Sequence, residues 1–188
     1  MAMVEAVCSV EGTDVASARA LLIRRDDVGI PDDLLSSETL ALSPDQSTGV
    51  DLVWPADSDD TVEFEVPGFA LAVEFRSAGG SFEEHGPATV WFRLRVPVVD
   101  GEPTTPFMRV AAAADFGNGI SRILDGERYL FINPDLTVAL HRYPEGDWVA
   151  LDAVTLLGSD GVGQSESALY DERGRIGRSL QSLLIDAR

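Results

Sequence analysis

The fold is restricted first of all by a run of four alanines at positions 111–114, which leads directly into Asp115 and two nearby glycines. Alanine has the highest helix propensity, so the run predicts a helix. Its small side chains would let a sheet pack closely against it. A carboxylate at the C-terminal end of a helix is disfavoured by the helix dipole. Asp115 is therefore a candidate functional residue, with a turn carboxylate bonded to the following amides as the alternative.

The predicted helix begins near Pro106 and runs to about Phe116. Thr104 or Thr105 is a candidate N-cap, and proline is favoured in the first helical turn. The two glycines after Asp115, at positions 117 and 119, are expected to end the helix.

Strand patterns flank this helix on both sides. Upstream, apolar residues alternate from about residue 62 to Phe75, around a proline–glycine interruption, and again over residues 88–98. Downstream, short turn-rich connectors favour antiparallel neighbours among four strand candidates at 129–142, 148–157, 163–171 and 176–185. The order predicts an α+β domain over residues 62–188, with an antiparallel sheet wrapped around one long helix.

The first 25 residues are interpreted as a β-hairpin. Apolar runs at 3–10 and 15–25 flank a turn at 11–14, and a short helix is the alternative for the second run. A lone hairpin is marginal in water, so we expect it to dock on something. Residues 26–61 contain no basic residue and are rich in Pro, Asp, Ser and Thr, which indicates an acidic linker between two lobes.

The charge and composition exclude several classes of function. The net charge is −18, and all 14 basic residues are arginines, so no basic stripe is available to bind nucleic acid. No apolar stretch reaches the roughly 18 residues of a membrane span, and no secretory signal precedes the first strand. Cys8 has no second cysteine for an internal disulfide. These features are typical of a cytoplasmic protein.

Three stretches of the C-terminal part carry a resemblance to a known family. They are AADFGNGIS at 113–121, LFINPDLTVALHR at 130–142 and DERGRIGRSLQSLL at 171–184. Together they resemble the C-terminal hotdog of the double-hotdog acyl-CoA thioesterases, the TesB-like group and its actinobacterial relatives. The resemblance implies a hotdog fold for residues 62–188. It also implies that residues 1–25 are the terminal hairpin of a partial first hotdog.

The resemblance further implies an active site. In the family, an aspartate at the helix end, a hydroxyl residue and a glutamine position a water against the thioester carbonyl. Asp115 matches the aspartate and Gln181 the glutamine, whereas Asn133 stands where the family has threonine. The implied reaction is hydrolysis of acyl-CoA to a free acid and CoA, as part of lipid metabolism, and it needs no metal or cofactor.

Other interpretations of these residues stay open at the level of sequence. Gln181 could face solvent on its strand, and Asn133 before Pro134 could serve turn geometry. A non-catalytic module that binds acyl-thioesters or assists assembly is the alternative function. A dehydratase would want a His–Asp or His–Glu pair that the sequence does not identify. Sheet edges left by an incomplete first lobe predict a homo-oligomer, a dimer or larger.

Overall fold

A computed structural model of the chain describes residues 1–35, 38–50, 68–80 and 85–188. The chain divides into two compact units, Met1–Leu35 and Ser36–Arg188. The part of the expected strand at 62–67 lies outside the described residues. No helix of the described residues is long and apolar enough to span a membrane.

The first unit is the hairpin that the sequence predicts. Strands β1 (Ala2–Val10) and β2 (Thr13–Leu22) pair in antiparallel fashion. The alternative of a short helix for the second run is wrong. The two-residue turn between the strands has positive φ at Glu11 (50°) and Gly12 (82°), the pattern of a type I′ turn, whose twist matches that of the strands. Both faces of this hairpin are exposed.

The second unit is built on one eight-stranded antiparallel sheet. Its elements are β3 (Thr48–Val50), α1 (Gly68–Leu71), β4 (Val73–Gly79), β5 (Ala88–Leu94), α2 (Pro106–Ala114), α3 (Gly117–Ile120), β6 (Tyr129–Ile132), β7 (Thr137–Leu140), β8 (Trp148–Leu157), β9 (Val162–Asp171) and β10 (Gly174–Ala187). The strand order of the sheet is β3-β4-β5-β8-β9-β10-β6, and β7 also pairs with β10. This arrangement confirms the predicted α+β class and its antiparallel sheet.

The predicted helix is present but broken in two. Thr105 is its N-cap and accepts a hydrogen bond from the Met108 amide at 3.2 Å. The helix α2 then ends at Ala114, and α3 starts three residues later. The expectation of one long helix is therefore wrong, and the two glycines lie inside α3 instead of ending α2. Gly117 suits this position because its backbone packs directly on the sheet, where a Cβ would make a tight contact, 3.0 Å from a Gln181 side-chain oxygen.

Both α2 and α3 pack on one face of the sheet, where each contacts β5 and β8 and α3 also contacts β9 and β10. Val110 and Ala113 of α2 are buried in a core shared with Leu151 and Leu169 of the sheet. Burial of each large aliphatic side chain stabilises the fold by about 1.5–3 kcal/mol. The alanines allow the close approach that the sequence predicts, because Ala113 and Ala114 are at most 2% exposed.

The opposite face of the sheet is covered by part of the expected linker. Trp91 lies in an apolar cluster with Trp148 and Leu40, and its indole nitrogen donates to the Leu42 carbonyl at 3.0 Å. Strand β3 pairs with β4 at the sheet edge. Residues 38–50 thus belong to the second unit. The expectations of a linker over 26–61 and of a domain that starts at residue 62 are therefore corrected: the second unit already includes residues 38–50. Buried aromatic N–H groups need acceptors, and this segment supplies one.

Glu38 makes the second attachment of this segment. Its backbone carbonyl accepts from the Arg175 amide at 2.8 Å, and its carboxylate accepts from the Arg175 guanidinium at 2.8 Å and from the Tyr170 hydroxyl at 2.7 Å. Burial, together with the bond to the Glu38 carboxylate, raises the pKa of Tyr170 to about 12. The hydroxyl therefore stays protonated and remains a donor across the physiological range.

One strand that the sequence predicts before β4 is not formed. Phe69 and Leu71, expected in a strand, lie in the short helix α1. The Phe69 ring stacks on that of Phe116 with centroids 5.7 Å apart. This contact ties α1 to the junction between α2 and α3.

Candidate functional site

The site is centred on Asp115, the C-cap residue of α2, whose side chain is exposed. Its Oδ1 atom accepts from Asn133 Nδ2 at 2.9 Å and from Gln181 Nε2 at 3.2 Å. The structure therefore brings together all three residues that the sequence singles out. Both amides act on the same carboxylate oxygen, and Oδ2 has no hydrogen-bond partner within the described part of the chain.

Gln181 is held at both ends of its amide. The side chain is 1% exposed, so the alternative that it faces solvent is wrong. Its nitrogen also donates to the Asp115 carbonyl at 3.0 Å, while its oxygen accepts from the Asn118 amide at 3.0 Å. Gln181 thus joins the end of α2 to the start of α3. These bonds fix which end of the amide faces Asp115.

Asn133 reaches the site because a predicted strand is interrupted. The sequence predicts one strand over 129–142, but β6 ends at Ile132 and β7 begins at Thr137. Both strands pair with β10, β6 with residues 184–187 and β7 with residues 177–180. Pro134 has no N–H for a ladder, and the four residues between the strands form a loop beside Gln181. The single-strand prediction is therefore wrong, and the loop carries Asn133 to Asp115.

A buried polar row lies beneath the site. Thr155, Ser165 and Gln181 are directly opposite one another on β8, β9 and β10, and all three are at most 3% exposed. Ser121 links this row to α3, since its hydroxyl donates to the Gly117 carbonyl and shares a hydrogen bond with Thr155, both at 2.8 Å. The hydroxyl of Ser165 is the one buried side-chain polar atom among the described residues without a hydrogen-bond partner.

The sequence reasoning missed this row. Ser165 and Ser167 are both buried on β9. Their signal is positional: they occupy alternate, inward-facing places on β9, opposite Gln181 and Ser179 on β10. Serines at core positions of a strand indicate a polar layer, because a buried hydroxyl requires partners.

An apolar groove lies beside the site. Its volume is about 430 Å³. The groove lies about one helical turn from the carboxylate. This follows because one face of the helix carries Met108, Ala111 and Asp115, at spacings of three and four residues. Its lining residues are Phe69, Ala72, Leu94, Val96, Pro97, Val98, Met108, Ala111 and Ala112.

Three arginines lie close together in the sequence, at positions 173, 175 and 178. Arg173 pairs with Glu145, and Arg175 pairs with Glu38. These two arginines therefore act as counter-charges to acidic side chains. Among the described residues, no group of three or more histidine, cysteine or acidic side chains could hold a metal ion.

The chain matches a family model described as the acyl-CoA thioesterase C-terminal domain, over residues 44–185. The match begins just before β3, which agrees with the assignment of residues 38–50 to the second unit. Among curated proteins, none matches the chain in sequence.

Solved structures of thioesterases share the fold. A candidate thioesterase II from Thermobifida fusca has a TM-score of 0.68 at 19% identity, covering 97% of this chain and 67% of its own. The acyl-CoA thioesterase II TesB2 from Mycobacterium marinum has a TM-score of 0.59 at 13% identity, with coverages of 99% and 68%. A candidate thioesterase from Novosphingobium aromaticivorans has 0.55 at 20%, with 97% and 66%. The expected hotdog fold is thereby confirmed, and this chain spans about two thirds of their length.

Proposed function

Because the chain belongs to the acyl-CoA thioesterase C-terminal domain family, we propose that it hydrolyses acyl-CoA thioesters to a free acid and CoA, with a water activated at Asp115. One observation carries the proposal: two amides hold Oδ1 of this carboxylate, at 2.9 and 3.2 Å. The carboxylate is thereby oriented, and Oδ2 remains available to accept from a water. Orientation of a general base is a large part of its contribution to catalysis.

The three residues take different parts in this reaction. Oδ2 of Asp115 accepts a proton from the water as the water oxygen bonds to the thioester carbonyl carbon. The C–S bond then breaks, the sulfur leaves with the electron pair, and the proton on Asp115 passes to it. Gln181 positions Asp115, because both of its N–H groups already have acceptors. Asn133 has a second N–H on Nδ2, which is suited to donate to the developing oxyanion.

The groove beside α2 supports an apolar acyl group as substrate. Its lining is apolar throughout, from Phe69 to Met108, and its volume of about 430 Å³ is in the range of small-molecule sites. Each methylene buried there would contribute about 0.8 kcal/mol to binding.

Association into a homo-oligomer in the cytoplasm is part of the proposal. Support comes from the hairpin, where Ala2, Val4, Ala6 and Cys8 share one wholly apolar face with their partners on β2. All four residues are exposed, and an isolated two-stranded hairpin is marginal in water. Light scattering of the purified chain measures the oligomeric state directly, and a monomer would contradict this part.

The proposed activity is tested by free-thiol release from acyl-CoAs of short, medium and long chain length. Asp115→Asn is expected to lower kcat about 10²–10⁴-fold, the usual contribution of a general base. Asp125→Asn is the matched control, since Asp125 is also an exposed loop carboxylate that accepts one backbone amide, from Glu127 at 2.9 Å.

The outcomes separate the two candidate functions. Hydrolysis that survives in the folded Asp115→Asn protein would contradict the assigned role. A folded wild-type protein that binds a non-hydrolysable acyl-CoA but releases no thiol would establish the non-catalytic binding module instead. The exposure of the Asp115 side chain is the observation that favours the non-catalytic alternative, because water screens the charge of an exposed carboxylate.

A further inference from the structure

The loop between β6 and β7 is attached to β10 through one side chain. Ser182 donates to Asp135 twice, from its backbone amide to Oδ1 at 2.7 Å and from its hydroxyl to Oδ2 at 3.1 Å. We propose that Asp135 is a positioning residue for the thioester reaction: it fixes the loop in the position from which the Asn133 side chain reaches Asp115. This inference rests on the proposed function.

The loop needs such an attachment because it has left the sheet. Strand pairing with β10 stops at Ile132 and resumes at Thr137. Among the described residues, the hydrogen bonds from positions 133–136 to β10 are those of Asp135. The carboxylate therefore takes the place of the missing ladder, with charge-assisted bonds that are stronger than neutral ones.

The attachment point is next to the other amide of the site. Gln181 and Ser182 are consecutive on β10, and side chains alternate between the faces of a strand. Gln181 points inward to Asp115, whereas Ser182 is exposed on the outer face, where it binds Asp135. Asp135 thus clamps the loop from the side opposite the substrate. Its role is to set the distance between two donors that share one acceptor oxygen.

The attachment of the loop through Asp135 and Ser182, called the clamp below, predicts that the effects of substitutions at Asp135 and Asn133 on kcat are coupled. If Asp135 acts through Asn133, its removal matters only while Asn133 is present. We expect Asp135→Ala to lower kcat on the order of tenfold, with KM unchanged, because small misplacements of a catalytic group cost large factors in rate. In an Asn133→Ala background, the same substitution should leave kcat unchanged. Asp135→Asn keeps one acceptor oxygen and should restore part of the rate.

Thiol release from medium-chain acyl-CoA measures this double-mutant cycle. Asp125→Ala serves as control and should leave kcat unchanged in both backgrounds. An equal loss from Asp135→Ala in both backgrounds would overturn the proposal, because it would show a general structural effect. An unchanged kcat in the single variant would overturn it as well. If Asp135→Ala does not fold, the cycle is run with Asp135→Asn and Ser182→Ala, each of which removes one of the two bonds.

A second readout is independent of hydrolysis. The side-chain amide of Asn133 gives an NMR resonance that is assigned by its loss in Asn133→Ala. We expect this resonance to shift in Asp135→Ala toward its position in Asp115→Ala, because the bond to Asp115 Oδ1 is lost. An unmoved resonance would refute the clamp even where the protein hydrolyses thioesters. A shifted resonance in a protein without hydrolysis would retain the clamp and reject the proposed function.

Discussion

Two glycines of one short helix offer a controlled test of the buried polar row. A Cβ on Gly117 would lie 3.0 Å from Gln181 Oε1, 3.0 Å from Ser167 Oγ and 3.2 Å from Ser165 Oγ. A Cβ on Gly119 would have no neighbour within 4 Å among the described residues. Both residues lie in α3, so Gly→Ala meets a helical backbone in each case. The two substitutions differ chiefly in the space that the added methyl group finds, since Gly117 is buried and Gly119 is exposed.

The expected magnitudes follow from that difference. Replacing glycine by alanine in a helix gains about 0.5–1 kcal/mol at either position. At Gly117 the added methyl also overpacks a close contact, which costs about 1–3 kcal/mol. Gln181 cannot move away freely, because its oxygen is bonded to the Asn118 amide. Gly119→Ala should therefore be neutral or stabilising, and Gly117→Ala should be less stable than Gly119→Ala by about 1–3 kcal/mol.

Urea denaturation measures the free energy of unfolding of the two variants. The buried Trp91 and Trp148 give a fluorescence signal from the second unit. We also expect Gly117→Ala to lower kcat for thioester hydrolysis, because displacement of Gln181 releases Asp115. A Gly117→Ala protein as stable as Gly119→Ala would refute the reasoning, since it would show that the polar row yields to a methyl group without cost.

Two further predictions concern buried polar groups. Burial by itself would raise the pKa of Asp171, but the bonds from Arg142 and from two backbone amides outweigh it and hold that pKa below its ordinary value. Its stabilising contribution is therefore complete above about pH 3.9 and is lost as the pH falls through that value toward the folded-state pKa. In Asp171→Asn the free energy of unfolding should depend less on pH in the acid range, and the variant is also expected to be about 3 kcal/mol less stable at neutral pH. An equally steep dependence on pH would contradict the role assigned to Asp171. Ser165→Ala removes a buried hydroxyl without a partner among the described residues. We therefore expect the substitution to be neutral or stabilising by up to about 1 kcal/mol in thermal unfolding. A clear loss of stability would show that the hydroxyl is bonded.

Much of the fold follows from local patterns in the sequence. The hairpin of β1 and β2 is predicted from two apolar runs around a tight turn, and Thr105 with Pro106 marks the start of α2. The connectors predict the antiparallel order of β8, β9 and β10. These features depend on neighbours in sequence, where backbone preference and side-chain alternation act directly.

The errors of prediction share a different cause. The break after Ala114, the loop at 133–136 and the docking of residues 38–50 each depend on contacts with a distant element. A helix pattern continues through Asp115 until Gly117 meets the sheet. An acidic, proline-rich segment has the composition of a linker until Trp91 and Tyr170 are found to need its oxygens as acceptors.

By itself, the sequence determined which side chains face the core, since the periods of helix and strand follow from backbone geometry, and it identified Asp115, Asn133 and Gln181 as candidates through motif resemblance. Only the tertiary structure decided that these residues meet. Asn133 is 18 positions and Gln181 is 66 positions from Asp115 along the chain. Their convergence on one oxygen depends on the register of β6 and β7 against β10 and on the point where α2 ends. Such registers arise from long-range packing, which no local pattern of residues encodes.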